Sequence, residues 1–141
     1  MSHLLDTCLL SEIIKPQPNQ GVKDFLAQIS HNEDSDLYIS VFSMGEIKRG
    51  INRIPVSKRK SELQQWYENI LHIYKDKFLS FDLEVSNVWA EITGYTESKG
   101  KTLSSIDSLI AATAIYYELT VITRNVSDFE HTGARILNPW T

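Results

Sequence analysis

Cys8 is the only cysteine among the 141 residues of this sequence. A lone thiol excludes an intrachain disulfide and a cysteine-ligated metal cluster, and it fits a reducing compartment. No apolar run approaches the roughly 18 residues that mark a membrane span. Met1-Ser2-His3 leads straight into strand-like sequence, without a basic segment and an apolar stretch behind it, so no signal peptide is expected. The expected location is the cytoplasm. A Gly-x-Ser-x-Gly elbow, a P-loop and a Gly-x-Gly-x-x-Gly fingerprint are all missing, which removes the common serine-hydrolase and nucleotide-binding routes. His3, His31, His72 and His131 lack ligand spacing and are expected at the surface or as satisfied core residues. Repeats, low-complexity tracts and linkers are absent as well.

What remains reads as one domain spanning residues 1–141. It is 42% hydrophobic and 23% charged, enough for a single core and too ordinary for disorder. The net charge of −4 argues against non-specific nucleic-acid binding, which needs Lys and Arg against phosphates. The basic residues are nevertheless bunched: Lys48, Arg49, Arg53, Lys58, Arg59 and Lys60 occur with no acid among them. A solvated helix end and loop explains them, and so does a strip that contacts phosphates.

The stretch Ser104–Ala114 organises the chain. It opens with hydroxyls suited to capping a first turn, carries Asp107, and then turns almost wholly small and apolar, as a buried helix does. Leu119–Thr123 follows as a short buried strand. Further strands are expected near His3–Asp6, Leu37–Val41, Phe78–Phe81 and Ile136–Leu137. Helices are expected over Thr7–Ile14, Val22–Ile29, Ser43–Asn52, Ser57–Lys75 and around Val85–Tyr95, with one helical turn in the loop from Asn125 to Gly133. Strands separated by helices imply a mainly parallel sheet of four or five short strands, flanked on both faces.

Four acids share one placement. Asp6 ends the first strand, Glu46 sits near the start of the helix after the second, Asp107 opens the buried helix, and Asp128 follows the strand ending at Thr123. Each has a structural explanation. Asp6 can cap the helix from Thr7. Ser43-x-x-Glu46 matches a capping box. Asp107 complements a helix dipole, and Asp128 can make an Asx-turn. Together they predict carboxylates gathered on the carboxyl rim of a parallel sheet, where such sheets place their sites. Carboxylates in one cleft repel, and a hard divalent cation such as Mg²⁺ or Mn²⁺ relieves the repulsion. That chemistry suits phosphodiester hydrolysis. Cys8 has no evident base and reads as a small buried thiol.

Four segments in register carry a family resemblance. Leu4–Glu12, Ser40–Ile47, Ser105–Ala114 and Thr123–Phe129, with the ending Asn138-Pro139-Trp140, resemble the motifs of PIN-domain ribonucleases. These are the toxin half of VapBC-type toxin–antitoxin pairs, and the last segment and the ending resemble their FitB-like subgroup. The resemblance implies a PIN-like three-layer α/β fold and a Mg²⁺- or Mn²⁺-dependent endoribonuclease. It implies an RNA substrate, tRNA among the candidates, a homodimer and a DNA-binding antitoxin. By motif position, Asp6, Glu46, Asp107 and Asp128 carry over as catalytic and metal-site acids. Thr7, Thr123 and Asn125 are the supporting polar positions, and Lys48, Arg49, Arg53 and Arg124 are candidates for the RNA backbone.

Two departures stand out. Cys8 replaces the usual Asn, and a thiol is a poor substitute for an amide as a hydrogen-bonding group. Tyr117-Glu118 replaces a His-Gly helix end, so Glu118 is expected either to strain the turn or to change it. A receiver-like signalling module is disfavoured, since it wants paired acids after the first strand and a Lys on a late one. A PIN domain that has lost catalysis and acts as an antitoxin-binding co-repressor is the rival. Three further expectations concern partners. Aromatic surface from Trp66, Tyr67, Tyr74, Trp89 and Tyr95 should remain for a homodimer. The antitoxin should insert an Arg or Lys among the four acids. It should also lay apolar side chains between the helix from Ser43 and the longest helix.

Overall fold

Alternation along the strands decides the layers, because successive side chains of a strand point to opposite faces. The computed structural model describes Met1–Thr141. In it, β1 (Ser2–Leu5) sends Leu5 into one apolar cluster and Leu4 into another. β4 (Thr120–Ile122) does the same with Ile122 and Val121. With β2 (Asp36–Ser40), β3 (Phe78–Leu79) and β5 (Arg135–Leu137) they form a five-stranded sheet in the order β3-β2-β1-β4-β5. Every neighbouring pair is parallel. This is the expected three-layer arrangement.

The larger cluster packs Leu9 and Leu10 of α1 (Thr7–Ile13), Val22 of α2 (Gln20–Ser30), Met44, Ile47 and Ile51 of α3 (Val41–Asn52) and Ile70 of α4 (Lys58–Ile73) against the sheet. The smaller one packs Ile110, Ala111 and Ala114 of α6 (Ser105–Tyr116) with Phe129 of α7 (Val126–Phe129). Residues Ile110–Ala114 are all buried, as expected for a helix with so little polar face. α5 (Leu83–Ser98) runs antiparallel along α6. Glu84 meets Tyr116 near one end, and Trp89 Nε1 donates to Ser108 Oγ at 3.0 Å nearer the other.

Several expectations are corrected. α3 begins at Val41, two residues early, because Ser40 rather than Ser43 is its cap: the Ser40 hydroxyl accepts from the Phe42 N–H. Ser43 is buried inside the helix and its Oγ has no partner. Trp66, Tyr67 and Tyr74 are partly buried against the larger cluster, and Trp89 is tied to Ser108, so of the named aromatics only Tyr95 remains exposed. The groove between α3 and α4 is mainly polar, with Ile51 and Tyr67 among Lys48, Asn52, Ser61, Gln64, Gln65 and Glu68. His3 is buried with Nδ1 unpartnered, neither a surface nor a satisfied histidine.

One buried acid went unnoticed in the sequence. Glu12 accepts from Lys15 Nζ at 3.0 Å, from the Asn19 N–H at 3.0 Å and from Trp140 Nε1 at 3.4 Å. Lys15 and the Asn19 N–H hold its carboxyl below the usual carboxylate range. Asn19 Oδ1 in turn accepts from the Thr141 N–H while its Nδ2 donates to the Thr141 carbonyl. The last residues therefore lie tight on α2. A Cβ on Gly21 would stand 2.1 Å from the Pro139 carbonyl oxygen, which leaves room for glycine alone.

α6 ends in a Schellman turn. The Leu119 N–H donates to Ala114 O and the Glu118 N–H to Ile115 O. Glu118 occupies the left-handed position at φ 56°, and its carbonyl accepts from Arg135 at 2.6 Å. A side chain there costs about 1 kcal/mol relative to glycine. Glu118→Gly should therefore raise the melting temperature by about 3 °C. A calorimetric scan showing no gain would disprove strain at this turn.

Candidate active site

The sheet changes direction at β1. From β1 the chain crosses to β2 on one side, and later to β4 on the other, so the crevice beyond the carboxyl ends of β1 and β4 is a switch point. Leu5 pairs with Ile122 in register, and the next residues, Asp6 and Thr123, meet just outside the ladder. The Asp6 N–H donates to Ile122 O at 3.0 Å, which fixes the backbone beneath the carboxylate.

Asp6 is only 4% exposed, and a buried carboxylate needs donors. Its Oδ1 accepts from the Thr7 N–H at 2.8 Å, the expected helix cap. Its Oδ2 accepts from Thr123 Oγ1 at 2.8 Å and from the Cys8 thiol at 3.5 Å. Thr123 Oγ1 accepts in turn from the Asn125 N–H at 2.9 Å. Cys8 thus lies in the site rather than in the core, and burial pushes its thiol up, away from a nucleophilic thiolate.

Glu46 does not reach back to its own helix start. It sits in the second turn of α3, and its Oε1 accepts from Thr7 Oγ1 at 2.6 Å. The capping-box account of Glu46 is overturned, because α3 starts at Val41 and Ser43 is already inside it. Thr7 is the bridge: its N–H holds Asp6 and its hydroxyl holds Glu46. Asp107 lies in the first turn of α6, where Ser104 caps the helix and donates from Oγ to Asp107 Oδ2 at 2.9 Å. Burial pushes the Asp107 carboxyl up and the Ser104 bond opposes this. The charges of Asp6, Asp128 and Glu46 push the same way as burial. Asp128 is exposed in the first turn of α7, and the side chain of Asn125 makes no cap for that helix.

Whether these residues suit a metal depends on donor chemistry and spacing. The donors are all oxygen, four carboxylates with hydroxyls beside them, which matches a hard cation. None of the three ion pairs of the chain involves these acids, so no Lys or Arg neutralises them. As placed, no three acidic, histidine or cysteine side chains converge into a coordination cage. The donor set fits the ion, and side-chain rotation would have to close it.

Among the basic residues, Arg124 follows Thr123 directly and is exposed, with its guanidinium carbon 5.5 Å from the Trp140 ring centre. Lys48 lies over the Tyr67 ring at 5.5 Å. Arg53 lies about 10 Å along α3 from Glu46, at 1.5 Å per residue.

Comparison with known proteins decides the family. The PIN domain profile matches residues 3–134. The chain belongs to the PIN domain family. Toxin FitB of Neisseria gonorrhoeae is 34% identical over 138 residues, covering 97% of this chain and 97% of FitB. The VapC ribonuclease Y4jK of Sinorhizobium fredii is also 34% identical over 138 residues, covering 97% of this chain and 96% of the relative. A solved structure of FitAB bound to an IR36 DNA fragment superposes with a TM-score of 0.88 at 33% identity, covering 100% of this PIN chain and 96% of that one.

Burial of the Asp107 carboxylate, with the neighbouring charges adding to it, predicts a stability effect. A carboxyl raised in the folded state prefers its proton there, so its charge destabilises the fold above the raised value. That penalty fades as pH falls toward the unfolded value of 3.8. In chelator-containing buffer, Asp107→Asn should therefore melt higher than the native chain at pH 7.5, with the difference shrinking as pH falls toward 4. Equal melting temperatures at both pH values would remove the account of a carboxylate penalised by burial and neighbouring charge.

Proposed function

We propose that this chain is the toxin of a VapBC-like pair, an endoribonuclease that hydrolyses RNA phosphodiesters with Mg²⁺ or Mn²⁺. One observation carries the reading. Thr7 and Thr123 tie Asp6 to Glu46 and to the β4 edge at the switch point, beside Asp107 and Asp128, with no basic side chain to neutralise the group. The relatives named toxin FitB and VapC ribonuclease support it.

Asp6, Glu46, Asp107 and Asp128 would hold the ion. When bound, such an ion lowers the pKa of water and offsets charge on a phosphoryl oxygen. The chain itself supplies orientation. Three donors hold Asp6, and one holds each of Glu46 and Asp107, which leaves carboxylate lone pairs free for an ion. Arg124, braced on Trp140, would engage a backbone phosphate at the rim. Water attacks phosphorus in line, and the bond to the leaving sugar oxygen breaks. One product keeps the phosphate and the other gains a hydroxyl.

The test is cleavage of single-stranded RNA by the purified chain. Mg²⁺ or Mn²⁺ should support it and a chelator should abolish it. Asp6→Asn or Asp107→Asn should lower the rate at least 100-fold. Undiminished cleavage by both variants would overturn the assignment. The rival, a PIN domain without catalysis acting as an antitoxin-bound co-repressor, is favoured by the weak Cys8 thiol beside Asp6. Cys8→Asn should raise cleavage at limiting metal if that thiol restrains activity.

Regulation and assembly follow from the same surface. An antitoxin segment that inserts an Arg or Lys among the four acids would neutralise them, Arg through bidentate hydrogen bonds and Lys as a point charge, and displace the metal. The groove between α3 and α4 would meet it with polar contacts. A homodimer would cover Leu83, Tyr116 and Tyr117, which are 76%, 37% and 38% exposed and are brought together by the Tyr116–Glu84 hydrogen bond. That bond pushes the Tyr116 hydroxyl up to about 12. Sedimentation at micromolar concentration should give a dimer, and Leu83→Arg should give a monomer. A native monomer would count against this face.

A further inference from the structure

A second charged cluster, of opposite sign, lies beyond the acids. α5 ends in its own Schellman turn, with the Gly100 N–H donating to Glu97 O and the Lys101 N–H to Thr96 O. Gly100 takes φ 76° there. The turn brings Lys101 to His131, with Nζ 3.2 Å from Nε2 and 3.5 Å from Nδ1. Lys99 Nζ stands 5.5 Å from the centre of the Tyr95 ring, which is 65% exposed. Tyr95, Thr96, Lys99, Lys101 and His131 line a pocket of ≈ 180 Å³.

Lysines at a helix C-terminus have an ordinary explanation in the helix dipole. It does not account for His131, which arrives from the segment after α7. Nor does it supply a counter-ion: none of the three ion pairs of the chain includes Lys99 or Lys101, although Glu97 and Glu130 are sequence neighbours. Ammonium groups can only donate, so this pocket offers donors without a carboxylate to receive them.

Its place in the fold points to a ligand shared with the acid site. Because α5 and α6 are antiparallel, the C-terminus of α5 lies at the pole where α6 begins, and Asp107 is in that first turn. Lys101 precedes Asp107 by six residues and His131 follows Asp128 by three. The proximity of Lys101 to His131 therefore joins the two segments that deliver these acids.

We propose that Tyr95, Lys99, Lys101 and His131 form a binding subsite for single-stranded RNA, with a phosphate held by the basic groups and a base stacked on Tyr95. The identity of the ligand as RNA rests on the nuclease reading above. A strand approaching four carboxylates is repelled, and cations beside the cleft offset that repulsion and set where the strand lies. An exposed aromatic ring accepts any base face, so this subsite positions the strand without selecting its sequence.

The test is fluorescence anisotropy of a short labelled oligouridylate with the full chain in chelator, where cleavage cannot interfere. Lys99→Gln/Lys101→Gln should weaken binding roughly tenfold and reduce the salt slope by about 0.7 for each phosphate that is no longer neutralised. Tyr95→Ala should weaken binding roughly tenfold with the salt slope unchanged, and Tyr95→Phe should bind as the native chain does. Melting temperatures should stay near native. Were the double variant unable to fold, Lys101→Gln alone reads the same slope.

Binding by the variants within twofold of native would overturn the proposal. So would absence of oligouridylate binding by the native chain, or preference of the cluster for labelled polyglutamate. Metal-dependent cleavage by a native chain whose variants bind RNA normally would remove the subsite and leave the nuclease. Loss of binding in the variants of a chain that never cuts RNA would remove the nuclease and leave the subsite.

Discussion

The Asp6 carboxylate is the constraint around which the site is built. It is buried at the one edge of the sheet where two crossovers part, and a buried carboxylate without donors is expensive. Its three donors come from the start of α1 and the end of β4. Satisfying one side chain therefore locks the relative position of a helix and a strand far apart in sequence. Thr7 extends that lock to α3 through Glu46. Three elements meet at this carboxylate, and the geometry of the cleft follows from its need for hydrogen bonds.

The remaining acids work against the fold. Asp107 is held by Ser104 but pushed toward its neutral form by burial and by the surrounding negative charge. Nothing in the chain neutralises that charge. Such a cluster persists because the two buried apolar layers and the parallel ladder hold the backbone regardless of what the carboxylates prefer. A cation, whether an ion or a partner's side chain, removes the conflict. Under the proposed function, catalysis and inhibition would be alternative ways of meeting the same electrostatic demand.

The surroundings show a division of charge. Acids gather at the switch point, while cations stand outside it, with Arg124 stacked on Trp140 on one side and Lys99 and Lys101 near His131 on the other. The Trp140 brace is itself anchored by Glu12, and Asn19 holds the neighbouring Thr141, so a buried acid of α1 helps to set the position of a rim cation that follows β4. For a molecule of net charge −4 this arrangement gathers exposed cations in a few places rather than spreading them.

The order of elements, the parallel sheet and the burial of α6 could be read from sequence, because strand alternation and helix periodicity are local properties of side-chain spacing. The strain at Glu118 followed from the resemblance, in which a His-Gly helix end stands at this position, and the Asp6 cap was legible as an acid just before a helix start. The role of Glu46 was not, since its capping motif and its hydrogen bond with Thr7 compete, and the burial of Ser43 inside α3 decided between them. Cys8 read by its residue type as a small buried thiol, whereas the resemblance put it beside the acids, and there it lies. Glu12 and His131 gave no signal: Glu12 divides its carboxylate between the nearby Lys15 and Asn19 and the distant Trp140, 128 residues away, and Lys101 stands 30 residues from His131. Periodicity fixed which face each residue occupies; only the tertiary structure decided which faces meet, because hydrogen bonds between distant segments depend on how the layers pack.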